Sequence, residues 1–195
     1  MFAGIIQATG EVSKLKRGRG GLRVTVATAL DLSDLRTGDS IAVDGICLTV
    51  TDSSAHAFSA DVSQETLNCT AGFVNRGKVN LEKALRVSDR INGHLISGHV
   101  DGVGKVMKFE SRGDCRLLSI KAPPALAKYI ARKGSIAVNG VSLTVNGIKN
   151  GTFSVNLIPH TLQATTMKYV KRGARVNIET DLLARYAERL LNASE

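Results

Sequence analysis

The sequence predicts an all-β fold: two tandem copies of one small closed barrel, followed by a C-terminal amphipathic helix. Three observations predict it. The chain repeats itself in register, its runs approximate the apolar–polar alternation of strands, and glycine or Asn-Gly breaks recur between the runs. The repeat divides the 195 residues into a first β module over 1–94, a second over 95–180 and a tail over 181–195. Modules of about 90–100 residues are near the common domain size.

The repeat is plainest between Ser40–Val50 and Ser135–Val145. Eight of these eleven positions are identical, and the differences (Asp44/Asn139, Ile46/Val141, Cys47/Ser142) are near-isosteric. Phe58-Ser59-Ala60-Asp61 matches Phe153-Ser154-Val155-Asn156, and Val79-Asn80-Leu81-Glu82 matches Val176-Asn177-Ile178-Glu179. Upstream, Gly4-Ile5-Ile6 with Gly10 and Val12 matches Gly98-His99-Val100 with Gly104 and Val106. The offset drifts only from 94 to 97. Chance similarity does not hold register over most of a half-chain, so the chain is a duplication.

Within each copy the runs are strand-like. Leu22–Val26, Leu117–Lys121 and Phe153–Leu157 alternate, and Asn150-Gly151 is a two-residue hairpin signal. Short strands at this spacing fit a barrel better than a βαβ sheet. Helical signals are few. Pro123–Gly134 reads as a short helix with Pro at its start and Gly past its end. Asp181–Asn192 carries Leu182, Leu183, Tyr186, Leu190 and Leu191 on one face, which would pack on its own barrels or make an oligomer contact.

Composition excludes several classes. No run approaches the roughly 20 apolar residues of a membrane span, and Met1–Ile6 lacks the pattern of a secretory signal. Three cysteines (Cys47, Cys69, Cys115) without a CxxC pair, and four histidines, give no zinc-type cluster. Free thiols and a cytoplasmic location are expected. The net charge of +9 raises nucleic-acid binding, but the densest basic run, Lys14–Arg23, is broken by glycines and reads as a solvated hairpin tip. Aromatics at 4%, with no Trp, leave no stacking platform for single strands.

The chemistry-bearing residues cluster on the repeat. Cys47 and Thr49 share one strand face and Leu48 takes the other; Ser142 and Thr144 repeat this. On an inward face they would hydrogen-bond a bound heterocycle. Three positions break the duplication: Cys47 against Ser142, Ile5 against His99, and Gly38 against Lys133. His94 sits just outside the copied unit. Gly102-Val103-Gly104 lacks a following helix, so it is no dinucleotide loop, and Gly140–Thr144 lacks the second glycine of a nucleophile elbow.

The opening Met1–Ile6, Gly45–Val50, Gly93–Val100, Gly140–Val145, Leu157–Leu162 and Val176–Glu179, in this order, resemble the riboflavin synthase family of the α-chain, lumazine-binding-repeat type. The resemblance implies two Greek-key six-stranded barrels and a C-terminal helix that holds a homotrimer. It implies that each barrel binds one 6,7-dimethyl-8-ribityllumazine. It also implies that two such molecules exchange a four-carbon unit without metal or organic cofactor, giving riboflavin and 5-amino-6-ribitylaminouracil.

Carried over by motif, the first pocket would use Gly4, Ile5, Ile6, Cys47, Leu48, Thr49, Asp61, Val62, Ser63, Gln64, Glu65 and Thr66. The second would use Gly98, His99, Val100, Lys133, Ser142, Leu143, Thr144, Leu157, Ile158, Pro159, His160, Thr161 and Leu162. His99, Ser142, Cys47 and Ser40 are the catalytic candidates, with Phe2 shaping the site and His99 relaying a proton. Asn139, where some relatives carry Asp, removes a carboxylate, and Ile46 stands where some carry a second Cys. Partners are then the lumazine, riboflavin and two further copies of the chain, with no nucleic acid or membrane; an association with lumazine synthase stays open. The rival classes are a lumazine or flavin carrier and an RNA-binding barrel. Formation of riboflavin from the lumazine alone separates the enzyme from both.

Overall fold

The computed structural model describes residues 1–18 and 20–192. Arg19, in the basic run read as a hairpin tip, and residues 193–195 of the expected tail lie outside the described residues. The first copy holds β1 (Ala8–Gly18), β2 (Gly21–Thr28), β3 (Ser40–Val43), β4 (Ile46–Ser53), β5 (Ala57–Ser63), α1 (Gln64–Cys69) and β6 (Lys78–Lys83). The second holds β7 (Gly102–Arg112), β8 (Cys115–Lys121), β9 (Ser135–Val138), β10 (Val141–Lys149), β11 (Thr152–Leu157), α2 (Pro159–Ala164) and β12 (Arg175–Thr180). The chain then forms α3 (Leu182–Leu191).

Each copy closes into an antiparallel barrel. The first runs β1-β2-β5-β4-β3-β6 and back to β1; the second runs β7-β8-β11-β10-β9-β12 and back to β7. Hairpins join the third, fourth and fifth strands of each copy, and the sixth returns to lie between the third and the first, a Greek-key order. Even the irregularities are copied. The bulge at Val12/Lys14 recurs at Val106/Lys108, and that at Val50/Asp52 recurs at Val145/Gly147.

The lumens are solid. Val24, Val26, Leu48, Phe58, Val62 and Leu81 help to fill the first, and Leu118, Ile120, Leu143, Phe153, Leu157 and Ile178 the second. This corrects one expectation. Leu48 and Leu143 take the inward positions, while Cys47, Thr49, Ser142 and Thr144 face outward. Six strands enclose only enough space for side chains. A hydroxyl buried there without a partner would cost about 1–3 kcal/mol. Any ligand therefore sits on the outside of the barrels.

The barrels meet through their β3–β4 and β9–β10 turns. Asp44-Gly45 (φ 48° and 77°) and Asn139-Gly140 (φ 47° and 77°) are left-handed pairs, as a two-residue hairpin of this twist requires. They pack back to back: a Cβ on Gly45 would lie 2.7 Å from the Gly140 nitrogen, and one on Gly140 2.8 Å from the Gly45 nitrogen. Two buried asparagines bind each turn to the other barrel. Asn80 Nδ2 donates to the Asn139 carbonyl and Asn177 Nδ2 to the Asp44 carbonyl, both at 2.9 Å. Their Oδ1 atoms accept from Thr166 and Ala71 amides, both at 2.7 Å. The arrangement is a two-fold in all but residue identity.

Two helical expectations change. The segment read as a helix over 123–134 is a 3₁₀ turn over Pro124–Tyr129 that ends at extended Ile130, and Lys133 is left-handed (φ 68°). The short α1 and α2 gave no periodic signal because six residues are too few to show one. The C-terminal helix forms as expected, capped by Asp181, whose carboxylate accepts from the Leu183 amide at 3.0 Å. It is docked by its charged face: Arg185 pairs with Asp101, and Glu188 accepts from Lys128 and Tyr129. Its apolar face looks outward, with Leu183, Tyr186, Leu190 and Leu191 between 62% and 78% exposed. Of the five residues on that face only Leu182 is partly covered.

The turn interface carries a pH dependence. Asp44 keeps part of its surface in water, yet loss of solvent between the packed turns pushes its carboxyl up to about 7, opposed by the Asn80 amide. A carboxyl raised on folding binds its proton more tightly in the native state, so stability falls as pH rises from about 4 through 7. Asp44→Asn, the residue of the second copy, is expected to raise Tm at pH 8 and to leave it nearly unchanged at pH 4. Thermal melts across that range measure it.

Candidate functional site

The site is built around a short antiparallel bridge. Phe2 donates to the Ile96 carbonyl at 2.8 Å and Ile96 donates to the Phe2 carbonyl at 3.0 Å. With Ala42 and Ala137, these two fully buried side chains fill the seam between the barrels. The chain on either side of the bridge is held by two buried glutamates at equivalent positions. Glu82, on β6, accepts from the Ala3 and Gly4 amides at 2.7 and 3.0 Å. Glu179, on β12, accepts from the Ser97 amide and hydroxyl at 2.6 and 2.7 Å, and from the Gly98 amide at 3.0 Å. Burial pushes both carboxyls above the ordinary glutamate value; the amide donors pull against it.

The glutamates aim the two glycine loops across the seam. The Cys47 amide donates to the Gly98 carbonyl at 2.8 Å, and the Ser142 amide to the Gly4 carbonyl at 2.9 Å. A Cβ on Gly98 would lie 2.6 Å from the Cys47 Cβ, and one on Gly4 2.6 Å from the Ser142 Cβ. Val100 packs on the first barrel's core and Ile6 on the second's. This corrects the pocket composition expected from the motifs. Gly98-His99-Val100 belongs with the first barrel, and Gly4-Ile5-Ile6 with the second. Each repeat contributes its loop to the other's site.

The first site is a cavity of about 200 Å³ lined by Ile46, Cys47, Glu65, Thr66, Cys69, Thr70, Gly98, His99 and Val100. Thr66 is fixed from β5: its amide donates to Ser63 Oγ at 3.0 Å, capping α1. Glu65 accepts from the Cys69 thiol at 3.2 Å, which raises the thiol's pKa, first through that bond and then through desolvation. By repeat equivalence Val141, Ser142, His160, Thr161, Ala164 and Thr165 stand where Ile46, Cys47, Glu65, Thr66, Cys69 and Thr70 stand in the first copy.

Other expected residues fall into place differently. Leu48, Val62, Leu143 and Leu157 are core side chains. Asp61 is outward and held by Arg23 in a bidentate pair at 2.7 and 2.8 Å. Gln64 lies exposed on α1 and bonds Asn68. Ser40 pairs with Thr49 across β3–β4 but lies outside the lining of the Cys47 cavity. Thr49 and Thr144 are exposed, as are Ile5, His99, Lys133, Ile158, Pro159 and His160. Thr161 and Leu162 are half-buried on α2. Among the described residues, no three His, Cys, Asp or Glu side chains are grouped to hold a metal.

One residue was missing from the motif-based site. His94 is buried, and its Nδ1 lies 2.7 Å from Ser142 Oγ. Its Nε2 is buried without a partner. Desolvation lowers its pKa, with Asp181 pulling weakly the other way, so the imidazole is neutral near pH 7. Among the described residues no side-chain hydrogen bond of this kind reaches Cys47. The available signal was position: His94 lies outside the copied unit, where only one of the two sites can own it.

The lumazine binding domain matches residues 3–84 and 97–181. A riboflavin synthase of Photobacterium phosphoreum is 45% identical over 98% of this chain and 89% of its own length. One from Bacillus subtilis (strain 168) is 40% identical over 98% and 90%. The chain belongs to the riboflavin synthase family. Among solved structures, LumP complexed with 6,7-dimethyl-8-(1'-D-ribityl) lumazine superposes with a TM-score of 0.83 at 27% identity, covering 92% of this chain and 99% of that one. LumP complexed with flavin mononucleotide gives 0.79 at 26%, with the same coverage.

The crossed loops can be tested directly. Gly98→Ala and Gly4→Ala each force a Cβ into the opposite barrel from a left-handed residue (φ 80° and 75°). Each is expected to lower Tm and to weaken lumazine binding by tenfold or more at the site of the other barrel. Titration of ligand fluorescence, with melts alongside, checks it.

Proposed function

We propose that the chain is a riboflavin synthase, a transferase acting on two molecules of 6,7-dimethyl-8-ribityllumazine. A four-carbon unit passes from one to the other, giving riboflavin and 5-amino-6-ribitylaminouracil, the last step of riboflavin formation. The observation that carries this is the crossed pair of two-fold-related sites, Cys47 with Gly98–Val100 and Ser142 with Gly4–Ile6. A reaction between two copies of one molecule needs two similar sites that differ in their acid–base groups.

The substrate's ring system is itself an electron sink, so its 7-methyl group can lose a proton without an added cofactor. The chain's work is to position the two rings and move protons. In the second site Ser142 Oγ contacts a neutral imidazole. The hydroxyl can pass its proton to His94 as it takes one from the substrate. In the first site His99 and Cys47 line one cavity, where His99 relays a proton and the thiol orients the ring. Phe2 fixes the seam on which both loops hang, and Ser40 supports Thr49 from the neighbouring strand.

The outward apolar face of α3 supports a homotrimer, because a monomer would leave it in water. Three unpaired cysteines suit the reducing cytoplasm. Association with lumazine synthase would add a supplier of substrate at the same assembly. Sedimentation or light scattering is expected to give a trimer, and Leu183→Glu with Leu190→Glu a monomer with folded barrels.

Mixing the protein with the lumazine alone tests the activity. Riboflavin absorbance and fluorescence are expected to appear with no metal or cofactor added; binding without a new chromophore would sink the enzyme reading and leave a carrier. His94→Ala and Ser142→Ala are each expected to lower kcat about 100-fold, within the usual contribution of general acid–base groups. The double variant should be no worse than either, since the two side chains act as one unit. Full turnover in His99→Ala would remove that residue from proton relay.

A further inference from the structure

We propose that α3 positions the first site through Asp101, the residue that ends the crossed loop carrying His99. The proposal rests on the reading of the Cys47 cavity as a lumazine site and adds a positioning residue to it. The loop Gly98-His99-Val100 lines that cavity and is pinned at both ends. At its start Glu179 accepts from the Ser97 and Gly98 amides. At its end the Asp101 amide donates to the Ile178 carbonyl at 2.8 Å, and Asp101 Oδ2 accepts from the Thr180 amide and hydroxyl, both at 2.7 Å. Asp101 Oδ1 accepts from Arg185 of α3. Thr180 is the last residue of β12, and Asp181, the cap of α3, follows it. Arg185 reaches back from the helix to the carboxylate, whose side chain is only 6% exposed. Asp101 is thus clamped between the end of a strand and the start of a helix. Its neighbour Val100 packs on the first barrel's core.

The repeat supplies the comparison. Gln7 stands for Asp101, as Gly4-Ile5-Ile6 stand for Gly98-His99-Val100. The Gln7 amide donates to the Leu81 carbonyl at 2.9 Å, and its Oε1 accepts from the Lys83 amide at 2.9 Å. Leu81 and Lys83 are the counterparts of Ile178 and Thr180, so both strand bonds are copied. A neutral amide therefore suffices to tie the loop to its strand. What the second copy adds is a charge. A carboxylate held out of water needs more donors than an amide does. It takes them from the Thr180 hydroxyl and from a guanidinium on α3, an element that follows only the second copy. The first copy's pin joins its loop to β6 alone among the described residues. Movement of α3 either strips the carboxylate of its cation or carries the His99 loop with it. A ligand that needs this loop in place and the docked state of α3 then favour each other by the same free energy.

Lumazine turnover by the full-length protein, read together with the imidazole NMR signals of its histidines, decides it. Asp101→Gln, which installs the first copy's residue, keeps the strand bond and removes the tie to α3; Arg185→Gln removes the same tie from the helix. Each is expected to shift the His99 ring signals, to leave those of His56 in place, and to lower kcat/KM by about tenfold. The double variant should be no worse than either single one, because the two side chains act as one unit. Arg185 uses one nitrogen on Asp101, so Arg185→Lys should restore turnover to within about twofold and return the His99 signals. Melts and sedimentation accompany each variant. Lost turnover with a lower Tm or an altered oligomer but unmoved His99 signals overturns the proposal, as does full turnover in either single variant or failure of the lysine to rescue. In the unaltered chain, His99 signals that do not respond to added lumazine overturn the reading of the Cys47 cavity, and the proposal with it.

Discussion

Everything at the site depends on how the two barrels are locked across their seam. The lock is polar and buried: Asn80 and Asn177 each satisfy a carbonyl and an amide that belong to the other half of the chain. Removal of either side chain would strand buried backbone groups, at about 1–3 kcal/mol for each. An apolar seam of the same area would tolerate sliding, because apolar contact has no direction. Asparagine fixes both distance and angle. That rigidity is what lets Glu82 and Glu179 aim the glycine loops at partners in the opposite barrel, with Cβ-to-Cβ clearances that only glycine can meet.

The crossing has a thermodynamic consequence. The Cys47 cavity is lined from both halves of the chain, so a ligand filling it would touch both. Binding there and docking of the barrels are linked, and each favours the other by the same free energy. The Phe2–Ile96 bridge ties the two loop-bearing segments together, and its buried side chains form the floor on which Cys47 packs.

Much of the fold was legible in the sequence. A repeat in register, alternation and Asn-Gly turns are local signals, and they led to two barrels of one topology. Exact strand faces were less legible. Cys47 and Thr49 were correctly placed together, but the inward side belongs to Leu48 because a six-stranded lumen has room only for side chains. The site's composition was half legible. Motifs found the residues, yet pairing of loop and barrel is a long-range property with no trace in spacing; it is set by the Glu82 and Glu179 hydrogen bonds. His94 was passed over for a related reason: a repeat comparison highlights what is shared, and this residue has no counterpart.

Asymmetry is finally what turns a duplicated binding module into a site with two roles. Two identical lumazines bound in two identical pockets would meet the same acid–base groups, and neither would be preferred as donor. The chain breaks that tie at few positions. Ser142 carries a neutral, buried imidazole whose outer nitrogen has no partner to compete for a proton, while Cys47 has no such bond. A neutral histidine held out of water has little cost as a base if the proton it receives is passed on at once, and a high cost if the charge must persist. In the reading proposed above, that difference assigns proton removal to the second site. The duplication supplies two like binding surfaces, and one histidine outside it makes their acid–base groups differ.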